Sequence, residues 1–272
     1  SPVWDEKLQR IYWVDIEGKS LHAWSYMENK KLIWNFDYRL CAISLTNQNN
    51  ILLCAFDTFF SFFDISNHII NKLDKQVTLP SKVRFNDGKT DGYGRFWCGT
   101  MSESNPSKPD GALYMIDNKL EIHEIVRGIH ISNSITTSLE NSFLYYADTY
   151  KKLIFKADLN EKKPYLDKSR IIIDNKNLKG FPDGSTIDKD GCLWNAEWNG
   201  GQLVQYDEAG KIINTMKTPM KKPTCVAFGG LNMNKLFITS AQDNNNDQDD
   251  ISGKTICIDT KVKGLYSNRF YI

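Results

Sequence analysis

The chain has 272 residues, 41% hydrophobic and 25% charged, with a formal net charge of +1. That is enough apolar material for a sizeable core, and all-β chains of this length commonly fold as one unit, so a single domain over residues 1–272 is expected. The balanced charge and the lack of any long apolar stretch argue against a nucleic-acid or membrane partner and for a small ligand.

Taken in chain order, one short apolar strand recurs. It reads I-Y-W-V-D from Ile11, I-L-L-C-A from Ile51, F-W-C-G-T from Phe96, L-Y-Y-A-D from Leu144, L-W-N-A-E from Leu193 and L-F-I-T-S from Leu236. Turn-forming segments such as N-Q-N-N, D-G-Y-G-R and D-K-D-G-C precede the copies, which stand 40, 45, 48, 49 and 43 residues apart. A second strand follows most of them: S-L-H-A-W, G-A-L-Y-M-I, K-L-I-F-K-A and G-Q-L-V-Q-Y. A period of 40 to 50 residues built from hairpins is that of a four-stranded propeller blade. Six copies predict an all-β, six-bladed β-propeller with four antiparallel strands per blade. A W-D dipeptide occurs once, at Trp4–Asp5, and does not recur with the repeat as it does in WD40 blades.

A propeller brings the inner edges of distant blades to one axis, so polar residues at equivalent blade positions can meet there. Three segments qualify. V-R-F-N-D-G-K carries Arg84, Asn86 and Asp87; H-I-S-N-S-I carries Asn133; F-P-D-G-S-T-I-D carries Asp183. Each lies about ten residues before its blade's repeated strand. N-D-G and P-D-G are also ordinary turn formers, but their matched phase in successive blades favours a shared site. Carboxylate and amide oxygens suit hard divalent cations: Ca²⁺, Mg²⁺, Mn²⁺ and, less selectively, Zn²⁺ or Fe²⁺. The histidines, His22, His68, His123 and His130, have no ligand spacing; His130 lies near Asn133, where a surface or packing role is expected. Six cysteines form no C-x-x-C pair and read as free and mostly buried, as in a reducing compartment such as the cytoplasm. The acidic run 242–250 fails the EF-hand pattern and reads as a solvated loop. Trp198 and Asn199, in E-W-N-G-G, stand either at the channel mouth or packed outward.

These segments carry a resemblance. The chain is similar to the family of senescence marker protein 30, gluconolactonase and luciferin-regenerating enzyme, from S-P-V-W-D at its start to V-K-G-L near its end. The matching motifs include I-Y-W-V-D-I, R-F-N-D-G-K, D-G-Y-G-R-F-W-C-G-T-M, I-S-N and, most extensively, P-D-G-S-T-I-D-K-D-G-C-L-W-N-A-E-W-N-G-G. The resemblance implies a six-bladed propeller with one axial divalent cation, held by a Glu, an Asn and an Asp, and a sugar-lactone hydrolase activity. The family's Asn falls on Asn133, its Asp on Asp183, and its substrate-contacting Arg and Asn on Arg84 and Asn86.

Three departures bear on the site. The family's Glu would stand immediately before Ser1, so residues preceding Ser1 are expected to be missing, a metal-free relative being the alternative. The Gly that follows the family's Asn is Ser134 here. A substrate-contacting Glu three positions after G-T-M in some members is replaced by Ser104, leaving the adjacent Glu103 as the candidate.

The expected reaction is hydrolysis of an aldonolactone to the aldonic acid. The cation acts as Lewis acid, Asp183 as ligand and general base, and Asn133 as ligand only; Arg84, Asn86 and Glu103 hold the substrate. The expected partner is a small-molecule sugar lactone, and the expected assembly a monomer or weak dimer. A metal-dependent esterase or phosphotriesterase and a non-catalytic metal-binding propeller are the rivals.

Overall fold

The computed structural model describes residues 1–242 and 251–272. The described residues form strands, turns and loops, and no helix among them is long and apolar enough to cross a membrane. The strands fall into six antiparallel sheets, each built from consecutive strands.

The first holds β1 (Val3–Asp5), β2 (Arg10–Asp15), β3 (Ser20–Ser25) and β4 (Lys30–Asn35). The second holds β5 (Leu40–Leu45), β6 (Ile51–Phe56), β7 (Phe60–Asp64) and β8 (Ile69–Lys72). The third holds β9 (Val83–Thr90), β10 (Phe96–Ser102), β11 (Gly111–Ile116) and β12 (Ile122–Ile129). The fourth holds β13 (Ser132–Thr137), β14 (Phe143–Asp148), β15 (Leu153–Asp158) and β16 (Asp167–Asp174). The fifth holds β17 (Phe181–Ile187), β18 (Leu193–Trp198), β19 (Gln202–Tyr206) and β20 (Ile212–Lys217). The sixth holds β21 (Pro223–Gly229), β22 (Lys235–Ser240) and β23 (Ile256–Asp259).

The sheets stand in a ring, with the first strand of each innermost and β1 returning to β21, so the molecule is a six-bladed β-propeller. The repeated apolar strand is the second of every blade: β2, β6, β10, β14, β18 and β22. Inner strands are buried from end to end, as in β5 and β13, whereas outer strands such as β20 are largely exposed. Among the described residues the sixth blade has three strands, not the expected four, and β23 is its outer edge. The core is a set of layers between neighbouring blades. Tyr12, Leu21 and Trp34 meet Ile43, Cys54 and Phe63 between blades one and two. The ring closes where Trp4 stacks on Phe237 across blades one and six, centroids 5.7 Å apart and 16° from parallel.

One hairpin device appears twice. In blade three, the fully buried Asp91 accepts the backbone N–H groups of Tyr93 and Arg95 on Oδ1 and the indole N–H of Trp97 on Oδ2. In blade five, Asp188 does the same for Asp190, Cys192 and Trp194. One carboxylate thus shapes the turn and fixes the tryptophan of the following strand. Gly191, at φ +80°, supplies the left-handed residue that turn requires.

The C-terminal segment crosses one end of the ring. Gly264 bridges Asp188, Asn268 donates to the carbonyl of Thr90, Arg269 reaches Asp5 and Glu6, and the buried Phe270 pairs with Thr46. These partners lie at or just past the C-terminal ends of the inner strands of blades five, three, one and two.

Candidate active site

At the opposite end, five of the inner strands carry an irregularity at the same level. The ladder shifts at Cys41 in β5, at Asn86–Asp87 in β9, at Ser134–Ile135 in β13, at Asp183–Gly184 in β17 and at Thr224 in β21. A bulge frees a residue from strict alternation and re-aims its side chain. The N-D-G and P-D-G segments are therefore bulged strand, not turns. Asn86 and Asp183 occupy the same bulge position in their blades, opposite Gly99 and Ala196, while Asn133 stands one residue earlier than the matched position, opposite Ala147. Ser134 takes that matched position with a left-handed φ of 59°, the conformation that favours glycine, and its hydroxyl shares a 2.6 Å hydrogen bond with that of Ser185.

These bulges floor a cavity of about 1350 Å³ lined by Arg84, Asn86, Asp87, Asn133 and Asp183. The predicted residues are tied together. Arg84 donates to Oδ1 of Asn86 at 2.8 Å, and Asn86 donates through Nδ2 to Oδ1 of Asn133 at 2.8 Å. Asn133 in turn donates through Nδ2 to Oγ1 of Thr149 at 2.9 Å, and that hydroxyl donates to the carbonyl of Pro182 at 2.7 Å. One hydroxyl therefore joins Asn133 of blade four to the peptide that precedes Asp183 of blade five. On the other side of Asp183, Asn195 donates to its backbone carbonyl at 2.9 Å.

Asp87, not singled out as a site residue, is buried on the same floor. It accepts from the hydroxyl of Ser1 and the backbone N–H of Ile135, each at 3.2 Å. Burial pushes the carboxyl of Asp183 well above the ordinary carboxylate range, and the negative charge of Asp87 pushes it further. Two carboxyl groups thus line one cavity.

Glu103, expected to hold the substrate, is not among the residues lining the cavity and is engaged by arginines instead. Its oxygens accept from Arg39 at 2.5 and 3.0 Å, and Nε of Arg84 lies 3.4 Å away. The hydrogen bond from Arg39 holds its carboxyl below the ordinary range. Arg84 alone of the two arginines reaches Asn86 and lines the cavity, and Glu103 joins it to Arg39.

Phe181 and Trp198, edge to face at 6.0 Å, line the cavity from blade five, and Tyr150 lines it from blade four. Trp198 therefore faces the cavity, one of the two placements its sequence allowed. All six cysteines are free; Cys41, Cys54, Cys98 and Cys225 are buried, Cys192 is half-buried and Cys257 exposed. The acidic run lies, from residue 243 to 250, outside the described residues.

The sequence model of the SMP-30/Gluconolactonase/LRE-like region matches residues 1–242. The chain belongs to this family. It is 34% identical to a protein named regucalcin from Danio rerio, over 89% of this chain and 82% of that one. It is 30% identical to an L-arabinolactonase from Azospirillum brasilense, over 98% and 90%. Its fold matches the crystal structure of a calcium-binding protein, regucalcin, from Agrobacterium tumefaciens with a TM-score of 0.91 at 26% identity, covering 100% of this chain and 93% of that one.

Thr149 and Asp87 are the additions that the sequence alone did not assign. Asp87 was visible beside Asn86; Thr149 carries no signal, because only the blade-to-blade approach shows what its hydroxyl touches.

Proposed function

We propose that this family member hydrolyses a sugar lactone to the aldonic acid at the axial cavity, with one divalent cation held there. The observation that carries this reading is the convergence of Asp183, Asp87 and Asn133 beside the Arg84–Asn86 pair at one end of the channel. A relative named for L-arabinolactone hydrolysis gives the substrate class.

The donor set fits the cation. Among the described residues no three His, Cys, Asp or Glu side chains cluster to hold a metal, so a cation on this floor would take amide oxygen as well as carboxylate. Its donors are oxygens: the Asp183 carboxylate, with Asn133 and Asp87 beside it. Burial first, and the charge of Asp87 second, raise the Asp183 carboxyl, and a divalent ion offsets both. The Ser1 hydroxyl also meets this floor, donating to Asp87. When bound, a divalent cation supplies Lewis acidity for an ester carbonyl and favours ionisation of water.

The chain's own groups do the rest. Arg84 and Asn86 donate to the hydroxyls and ring ester of the lactone, fixing its carbonyl over the floor. Asn133 is locked by Thr149 with Nδ2 outward and Oδ1 toward Asn86 and the site. Asp183 takes the proton of the attacking water as the water oxygen bonds to the carbonyl carbon. It returns that proton to the ring oxygen as the ester C–O bond breaks, leaving an acid and a free hydroxyl. The aromatic wall of Phe181 and Trp198 sheds water from the apolar side of the substrate.

The test is a panel of aldonolactones with chelator and add-back of Ca²⁺, Mn²⁺, Mg²⁺, Zn²⁺ and Fe²⁺. Turnover lost with chelator and restored by one ion is expected, and Asp183→Asn should lower kcat by at least about a hundredfold, the scale of a general base. Chelator-resistant turnover, or full activity in Asp183→Asn, overturns the reading. A second reading, a cation-binding propeller without turnover, is favoured by the relative described as calcium-binding. Saturable calcium binding with no lactone hydrolysed would establish it.

A further inference from the structure

Tyr150 is an exposed aromatic at the mouth of the cavity whose position is nevertheless fixed. Its side chain is 47% exposed, yet its ring stacks on that of His130, centroids 4.9 Å apart and 14° from parallel. His130 is itself buried and anchored twice to the buried Asp148: its ring Nδ1 lies 2.8 Å from Oδ2, and its backbone N–H donates to the same oxygen at 3.3 Å. An exposed tyrosine ordinarily turns freely; here a carboxylate holds an imidazole, and the imidazole seats the tyrosine.

The location gives the seat a purpose. Tyr150 follows Thr149, whose hydroxyl touches both Asn133 and the carbonyl before Asp183, and both residues line the cavity. Arg84 and Asn86 line the same cavity from blade three, the neighbour of blade four. A sugar ring has two kinds of surface: hydroxyls around its edge, and faces of C–H groups carrying slight positive charge. The first suits Arg84 and Asn86; the second suits the negative face of an aromatic ring. An already immobilised ring gives up little conformational freedom when a ligand lies on it.

We propose that Tyr150, seated on His130 and Asp148, is the platform on which the substrate's sugar ring lies, and so a determinant of which lactones are accepted. This deepens the lactonase reading and rests on it. His130 and Asp148 are positioning residues; Tyr150 makes the contact.

The experiment measures gluconolactone hydrolysis by the full chain with its activating ion. Tyr150→Ala should raise KM about tenfold with kcat changed by less than about threefold, the pattern of lost uniform binding. Tyr150→Phe and Tyr150→Trp keep a flat face and should return KM toward that of the parent. His130→Ala, which removes the seat but not the ring, should raise KM by a smaller factor. Because Tyr150 is exposed, the alanine variant is expected to fold. An unchanged KM in Tyr150→Ala, in a parent that hydrolyses the lactone, overturns the platform alone. A loss of kcat that Tyr150→Phe does not restore also overturns it, since the hydroxyl and not the face would then be at work. A parent with no turnover on any aldonolactone overturns the lactonase reading and the platform with it.

Discussion

Thr149 shows how much one hydroxyl can organise. It accepts from Asn133 and donates to the carbonyl before Asp183, so the two candidate ligands from neighbouring blades share a single hinge. Groups that orient metal ligands commonly change affinity by about ten- to a hundredfold when removed. Thr149→Val keeps the shape and deletes both bonds; calorimetric titration should show divalent-ion affinity lowered by about that factor, while Thr149→Ser, which keeps both bonds, stays within about threefold of the parent. Equal affinity in the valine variant would mean that the blades hold the ligands unaided. At this scale the sequence was partly legible. Arg84, Asn86, Asn133 and Asp183 could be picked out because their segments repeat in phase from blade to blade. Thr149 could not, since its partners lie 16 and 33 residues away and meet it only after blades four and five have packed.

At the scale of the element, the second strand of each blade was the most legible feature, because its apolar run recurs at a regular spacing and is preceded by a turn. The bulges were not legible, since an extra residue is defined only against a paired strand. The segment joining β16 to β17 depends on another such hidden partner, Glu197 of β18. It is fully buried; Oε1 accepts from Asn175 at 2.7 Å, and Oε2 has no partner. Burial pushes its carboxyl up to about 7, although the charge of Lys152 and the Asn175 hydrogen bond pull the other way. The folded pKa lies above the unfolded one, so the folded chain holds a proton that the unfolded chain releases. Stability from this group is therefore greatest below pH about 4 and falls as pH rises through 7, by on the order of 3 kcal/mol in total. Glu197→Gln stays neutral and should remove this slope: its Tm should exceed the parent's at pH 8 and approach it near pH 4. Parallel Tm-against-pH curves for the two proteins would refute this.

For the whole molecule, the blade count and the cyclic order follow from the repeat, whereas the C-terminal segment had no periodicity by which to read it. It nevertheless touches the inner-strand ends of four blades. Phe270 is fully buried among residues of blades two and three, next to Phe62. Phe270→Ala should cost about 3–5 kcal/mol, as for other buried phenylalanines, and appear as a lower midpoint in a single denaturant transition with lactone KM unchanged. A midpoint within experimental scatter of the parent's would show that the ring closes without this segment.

The crossing tail leaves the bulged end of the ring to the ligand. There Arg84 and Asn86 line the cavity, and an aldonate keeps the hydroxyls of its lactone while adding a carboxylate of the kind an arginine binds. Added aldonate should therefore act as a competitor of its own precursor.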